Sequence, residues 1–199
     1  DKLIRALAER LVQVDLLSRA ADLLSNQVKR RLEGEKAVEV GLRLAGIRLL
    51  NDNAKQALRD LARVQRNLNN VPVAQRAPLQ REYQLLKARA LSQDGQPDKA
   101  LALLNRLDQN EKTRRLRANI AWNAGRWSDA ERALADLIHG MDIGEDEALT
   151  NKQAEMILNR AVALNLSNSR YKLENMRKRY RERMQDTKRG RLFDVVTRP

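Results

Sequence analysis

The sequence predicts an all-α chain of stacked helical hairpins closed by further helices at its C-terminal end. Three observations carry that prediction. The first is a spacing, Ala, eleven residues, Ala, three residues, Leu, which occurs as Ala8/Ala20/Leu24, Ala45/Ala57/Leu61, Ala88/Ala100/Leu104 and Ala118/Ala130/Leu134. Each instance reads as two amphipathic helical segments joined by a short turn, with the alanines where the two helices cross closely. The second is composition: aromatic residues are 3% of the 199, charged residues 33%, and four prolines and eight glycines are thinly spread. Leu and Ala supply the apolar surface, which suits helices and leaves little for a sheet. The third is that Asn, Asp and Gly cluster between the apolar runs, where helix ends need them.

Taken in order, the first hairpin (about 1–32) uses Lys2 to Val12 and Leu16 to Arg31. Asp15 is expected to cap the second helix with its short side-chain acceptor, and Gly34 to stop it. The second hairpin (35–68) turns at Asn51-Asp52-Asn53. Asn69 to Pro78 is the longest break, and its prolines read as a loop ending with Pro78 in the first turn of the next helix. The third hairpin (78–107) turns at Asp94-Gly95-Gln96 and the fourth (111–139) at Gly125, ending at Gly140. The glycines at these turns supply a left-handed residue. Larger side chains at the alanine positions would push the helices apart, so Ala118→Leu and Ala130→Leu are both expected to destabilise the fold.

Residues 141–199 are expected to complete the same structural unit. An acidic loop from Asp142 to Glu147 precedes a helix at Asn151 to Asn165, which starts behind the capping-box pattern Thr150-x-x-Gln153. Ser167-Asn168-Ser169 breaks it. The helix from about Arg170 to Met184 is apolar only at Leu173, Met176, Tyr180 and Met184, a narrow stripe that fits the end cap of a repeat stack. The tail Leu192 to Val196 reads as extended and apolar enough to dock back.

The hairpins resemble tetratricopeptide repeats (TPR), helix-turn-helix units of about 34 residues. The likeness rests on the paired alanines, on Gly95 and Gly125 at the turns, and on Asp94-Gly95-Gln96-Pro97-Asp98-Lys99-Ala100-Leu101 beside Asn123-Ala124-Gly125-Arg126-Trp127-Ser128-Asp129-Ala130. It covers residues 1 to 139, without the family's usual Trp, Tyr and Pro, and successive second alanines are 37, 43 and 30 residues apart. The closing Phe193 to Pro199 resembles the end of large bacterial TPR-containing proteins without an assigned activity. The resemblance implies a right-handed α-solenoid that presents a concave groove to a protein or peptide. Its groove positions fall on Lys112, Arg115, Asn119 and Trp122, with Arg89 in the third hairpin. Arg115 and Asn119 resemble half of a clamp for a peptide carboxylate, which an Arg takes in a fork while an Asn donates beside it. The plainer alternative is that both are solvated or paired within the repeat. Of Trp122 and Trp127, at least one is expected in the core.

The formal charge is +13 and the pI about 10.6. Between Arg170 and Arg191 ten basic residues face three acidic ones, more than half of that charge. Arg170, Lys172, Arg177, Lys178, Arg179, Arg181 and Arg183 are therefore a second candidate surface, for nucleic acid or an anionic membrane. The alternative is a solvated outer face, and no interleaved aromatics or recognisable nucleic-acid module accompany the charge. Catalysis has little to build on: there is no cysteine, His139 is the only histidine, and no phosphate loop or nucleophile motif is present. His139 sits where a helix C-terminus favours a partial positive charge. No cofactor or metal is expected. No apolar run approaches the roughly 18 residues of a membrane span, so the chain reads as soluble. Its start at Asp1, directly in a helical pattern, reads as a piece of a larger protein, which the resemblance implies is bacterial, and its composition suits cytoplasm and periplasm equally. The expected function is a non-catalytic protein-interaction scaffold, and the structural alternative is the end cap of a longer solenoid.

Overall fold

A computed structural model describes residues 2–30, 32–144 and 147–198, with the backbone alone at Lys29 and Arg30. Asp1, Arg31, Pro199 and the acidic-loop residues Glu145 and Asp146 lie outside the described residues. The helices are α1 (Lys2–Gln13), α2 (Leu17–Arg30), α3 (Gly34–Leu50), α4 (Ala54–Leu68), α5 (Val73–Gln93) and α6 (Pro97–Leu104). They continue with α7 (Glu111–Asn123), α8 (Trp127–His139), α9 (Asn151–Leu166), α10 (Arg170–Gln185) and α11 (Gly190–Val196), and no strand occurs among the described residues.

One turn recurs through the chain. Asp15, Asp52, Gly95, Gly125 and Asn168 have φ of 60°, 51°, 76°, 66° and 57°. The residue after each donates its amide N–H five residues back: Leu16 to Leu11, Asn53 to Arg48, Gln96 to Leu91 and Arg126 to Ala121 at 2.8 Å, and Ser169 to Leu164 at 2.9 Å. A left-handed residue closing a helix this way satisfies carbonyls that the helix end leaves open. Gly takes that conformation without steric penalty, and Asp and Asn tolerate it. Asp15 thus ends α1 as the left-handed residue, instead of capping α2 as its acceptor side chain suggests.

The paired alanines stand seven residues before and five after each turn residue. All eight are buried, seven at 0% exposure and Ala118 at 8%. The fifth turn shows that the C-terminal cap is itself a hairpin of the same kind. Ala161 holds the first alanine position at 0%, and Leu173 replaces the second. A leucine at a crossing point keeps the axes further apart, and α10 meets α9 over a shorter stretch than the paired helices of the earlier hairpins.

Two compact units divide the chain, residues 1–106 and 107–199. In the first, α3 is covered on several sides by α2, α4 and α5. Its Val40, Leu44 and Ile47 pack with Ala20, Ala21 and Leu24, while Val38, Leu42, Ala45 and Leu49 pack with Ala57, Leu61 and Tyr83. The break before α5 is shorter than its prolines suggest. Pro72 precedes the helix, Pro78 is its sixth residue, and the prefix makes α5 the longest helix, with 21 residues. Pro78 cannot donate to Ala74 as a sixth helical residue should. The turn is anchored instead by Val71, 1% exposed, and by Arg76, which donates to the Val71 carbonyl at 2.8 Å and the Asn69 carbonyl at 3.0 Å.

In the second unit α7 pairs with α8, α8 seats α9, and α11 packs on α9 and α10. Thr150 and Gln153 form the expected capping box on α9. The tail is helical where an extended strand is the sequence reading. Phe193 is 1% exposed and joins Leu164, Met176, Tyr180 and Met184 in one core. Gly190 makes the return possible, because a Cβ there would lie 2.3 Å from the Met184 carbonyl oxygen.

Candidate interaction surface

Helix α7 sorts its side chains by face. Thr113, Ala118, Ile120 and Ala121 are buried. Arg117 turns toward α8, donating to Gln109 at 3.0 Å and to the Asp136 carboxylate. Lys112 and Asn119 are exposed, and Arg115 and Trp122 half-buried. Their spacing of seven and three residues keeps these four on one stripe of the helix.

Arg115 already holds a carboxylate. Its Nε and one terminal nitrogen donate to Glu111 Oε1 at 2.9 and 2.6 Å. The Arg115 hydrogen bond and charge, with Lys152 at 4.0 Å, hold the Glu111 carboxyl below its ordinary value. Asn119 accepts from Asn123 Nδ2 at 3.2 Å. Neither tryptophan is in the core. Their rings meet edge to face, centroids 5.3 Å apart at 88°. The turn at Gly125 brings the ring before it against the ring after it, and an alanine-sized crossing has no room for an indole. Arg89 is exposed on α5 in the first unit, six residues before Gly95 as Asn119 is before Gly125. His139 is exposed in the last turn of α8.

Much of the basic charge of α10 is spent within the fold. Lys172 reaches Glu131 at 3.2 Å and Lys178 reaches Glu174 at 3.1 Å. Arg183 donates to the Glu147 carbonyl at 2.8 Å, and Arg179 lies over the Tyr180 ring at 5.4 Å. Arg177 donates to Asp194 Oδ1 at 2.9 Å, where Arg181 at 3.6 Å and Arg198 at 3.1 Å converge on the same carboxylate. Arg170 is exposed. Residues that pattern alone did not single out carry these networks. Glu131 is 5% exposed, sits on α8 and also takes Arg160 of α9 at 2.9 Å; Asp194 lies in α11. Their signals are largely tertiary, since Glu131 pairs with residues 29 and 41 positions away and Asp194 with Arg177, 17 positions away.

The Arg198 hydrogen bond, then the charges of Arg177, Arg198 and Arg181, hold the Asp194 carboxyl below its ordinary 3.8 despite its burial. In the interval below 3.8 the unfolded chain therefore binds a proton that the folded chain does not. The stabilisation is full above the ordinary value and lost as pH falls through the depressed one. Acid titration of the melting temperature is expected to show this loss, and Asp194→Asn to remove it.

No protein-family profile matches the chain, and no curated protein matches it significantly. Among solved structures it is similar to the nearly identical TPR-like repeats of a Podosopora anserina protein assigned as a kinesin light chain. The TM-score is 0.66 at 18% identity, over 94% of this chain and 96% of that one. A single-substitution variant of the same repeats gives 0.63 at 18% identity, over 93% and 96%. The fold is that of TPR-like helical repeats. Among the described residues no helix is long and apolar enough to cross a membrane.

Proposed function

We propose that the protein is a non-catalytic interaction scaffold and that the outer stripe of α7 binds an acidic peptide or a peptide C-terminus. One observation carries the reading: α7 commits its other faces to the core and to α8, and leaves Lys112, Arg115, Asn119 and Trp122 together on the surface. Glu111 supports it, because a carboxylate already sits in the Arg115 fork. An exposed pair of this spacing is screened by solvent and contributes little, so a ligand that also meets Lys112 and Asn119 can displace it. Trp122 offers an apolar anchor beside the charges. Arg89 is a further cation of the same kind in the first unit.

The test is a titration with a short acidic peptide bearing a free C-terminal carboxylate, followed by the fluorescence of Trp122 and Trp127. Arg115→Glu with Asn119→Ala is expected to weaken binding by about tenfold or more. Glu111→Gln, which frees the fork, should tighten it about twofold. Equal affinity for the wild type and the double variant would contradict the assignment.

A further inference from the structure

The repeat register also identifies a seat for a helix on α10. Six, nine and thirteen residues after the turn, the second helix of a hairpin carries the positions that hold the helix that follows. In α2 the first two are Ala21 and Leu24, packed on Val40, Leu44 and Ile47 of α3. In α4 they are Leu58, Leu61 and Gln65; the first two pack with Tyr83 and Leu86 of α5, and Gln65 accepts from Tyr83 Oη at 2.7 Å. In α8, Glu131 takes Arg160 and Ile138 packs with Ala154 and Ile157 of α9. The same positions of α10 are Glu174, Arg177 and Arg181.

Among the described residues the helix that follows α10 is the seven-residue α11, which Arg177 and Arg181 hold through Asp194. It is too short to cover the length of α10, and Thr197 and Arg198 wall a groove of about 750 Å³ that runs along α10 past Leu173 and the end of α9. Arg170, Arg177, Lys178, Arg181 and Arg198 line it, against the carboxylates of Glu174 and Glu182. Asp194 shows what this surface accepts, since three of the five cations converge on its carboxylate.

We propose that this groove is the docking site for an acidic amphipathic helix of a partner protein, seated on α10 as α9 is seated on α8. Its shape and place in the register call for a helix, and its excess of cations calls for Asp and Glu on the facing stripe. Glu174 and Glu182, set at helical spacing among the cations, can face the gaps between the acidic side chains of a helix, whereas a continuous phosphate backbone would meet both carboxylates. A second copy seated head to tail is disfavoured by charge, because its α1 carries Lys2, Arg5 and Arg10 against Glu9 alone.

The site is separate from the α7 stripe and is tested separately. The probe is a capped helical peptide of about 16 residues, the length of α9, with an Ala-Leu spine and glutamates on one face. Its glutamine and lysine counterparts and an oligothymidylate of similar length serve as comparisons. The full chain is compared with Arg170→Glu/Lys178→Glu, two exposed positions whose change leaves the core intact. The glutamate peptide is expected to bind the wild type and to lose at least about tenfold in affinity on either the glutamine change or the double variant. The lysine peptide should bind the variant better than the wild type. Equal affinity of the glutamate peptide for both proteins would overturn the proposal. So would tighter binding of the oligothymidylate that the same variant abolishes, which would assign the groove to phosphates.

Discussion

Replacing Phe193 by alanine is expected to cost about 3–5 kcal/mol, the range for removing a fully buried phenyl ring. Phe193 is the largest of the fully buried side chains and the main apolar anchor of α11. A helix of seven residues does not persist in water without tertiary contacts. Loss of the ring should therefore release the whole segment from Gly190 to Thr197, including the buried Thr197 hydroxyl that donates to the Phe193 carbonyl at 2.8 Å. Denaturant unfolding measures the cost, and hydrogen exchange should show residues 190–197 losing protection first. A variant with an unchanged midpoint and a still-protected tail would show that α11 is not part of the packed structure.

The second large effect is expected at Ala130. It is at 0% exposure, five residues after the left-handed Gly125, on the helix that pairs with α7, where Ala118 holds the matching position. The added carbons of a leucine have no space there, so Ala130→Leu should cost about 1–3 kcal/mol. At the size of this chain that lowers the melting temperature by roughly 2–12 °C. Ala118, at 8% exposure, should suffer less from the same change. The fifth hairpin supplies an internal control, because the chain already carries Leu173 at the equivalent place and α10 packs less extensively there. Leu173→Ala should then leave a cavity instead of relieving strain, and an Ala130→Leu protein with wild-type stability would show that the alanines do not mark the crossings.

What was legible in the sequence was local or periodic. Gly95 and Gly125 announce left-handed turns, Thr150 and Gln153 announce a helix start, and four alanine pairs place the crossings. The fifth hairpin was half hidden, because Ala161 keeps the pattern while Leu173 and Arg177 break it. Prolines misled at residues 69–78, since a buried Val71 and the Arg76 guanidinium compensate for a proline within α5. The tail misled because Leu192 to Val196 has strand-like composition, and only packing against α9 and α10 makes it a helix. At the candidate site, the stripe on α7 follows from helical spacing. The Glu111 partner of Arg115 was also within reach, four residues earlier on the same helix. The convergence of Arg177, Arg181 and Arg198 on Asp194 was not, because it depends on how α11 folds back.

That the chain acts by holding a protein partner on α7 is tested most directly by quantitative capture from nuclease-treated source lysate, comparing the wild type with Arg115→Glu/Asn119→Ala. A specific protein is expected to be retained by the wild type and lost by the variant, while both melt alike. An identical set of proteins on both would contradict it.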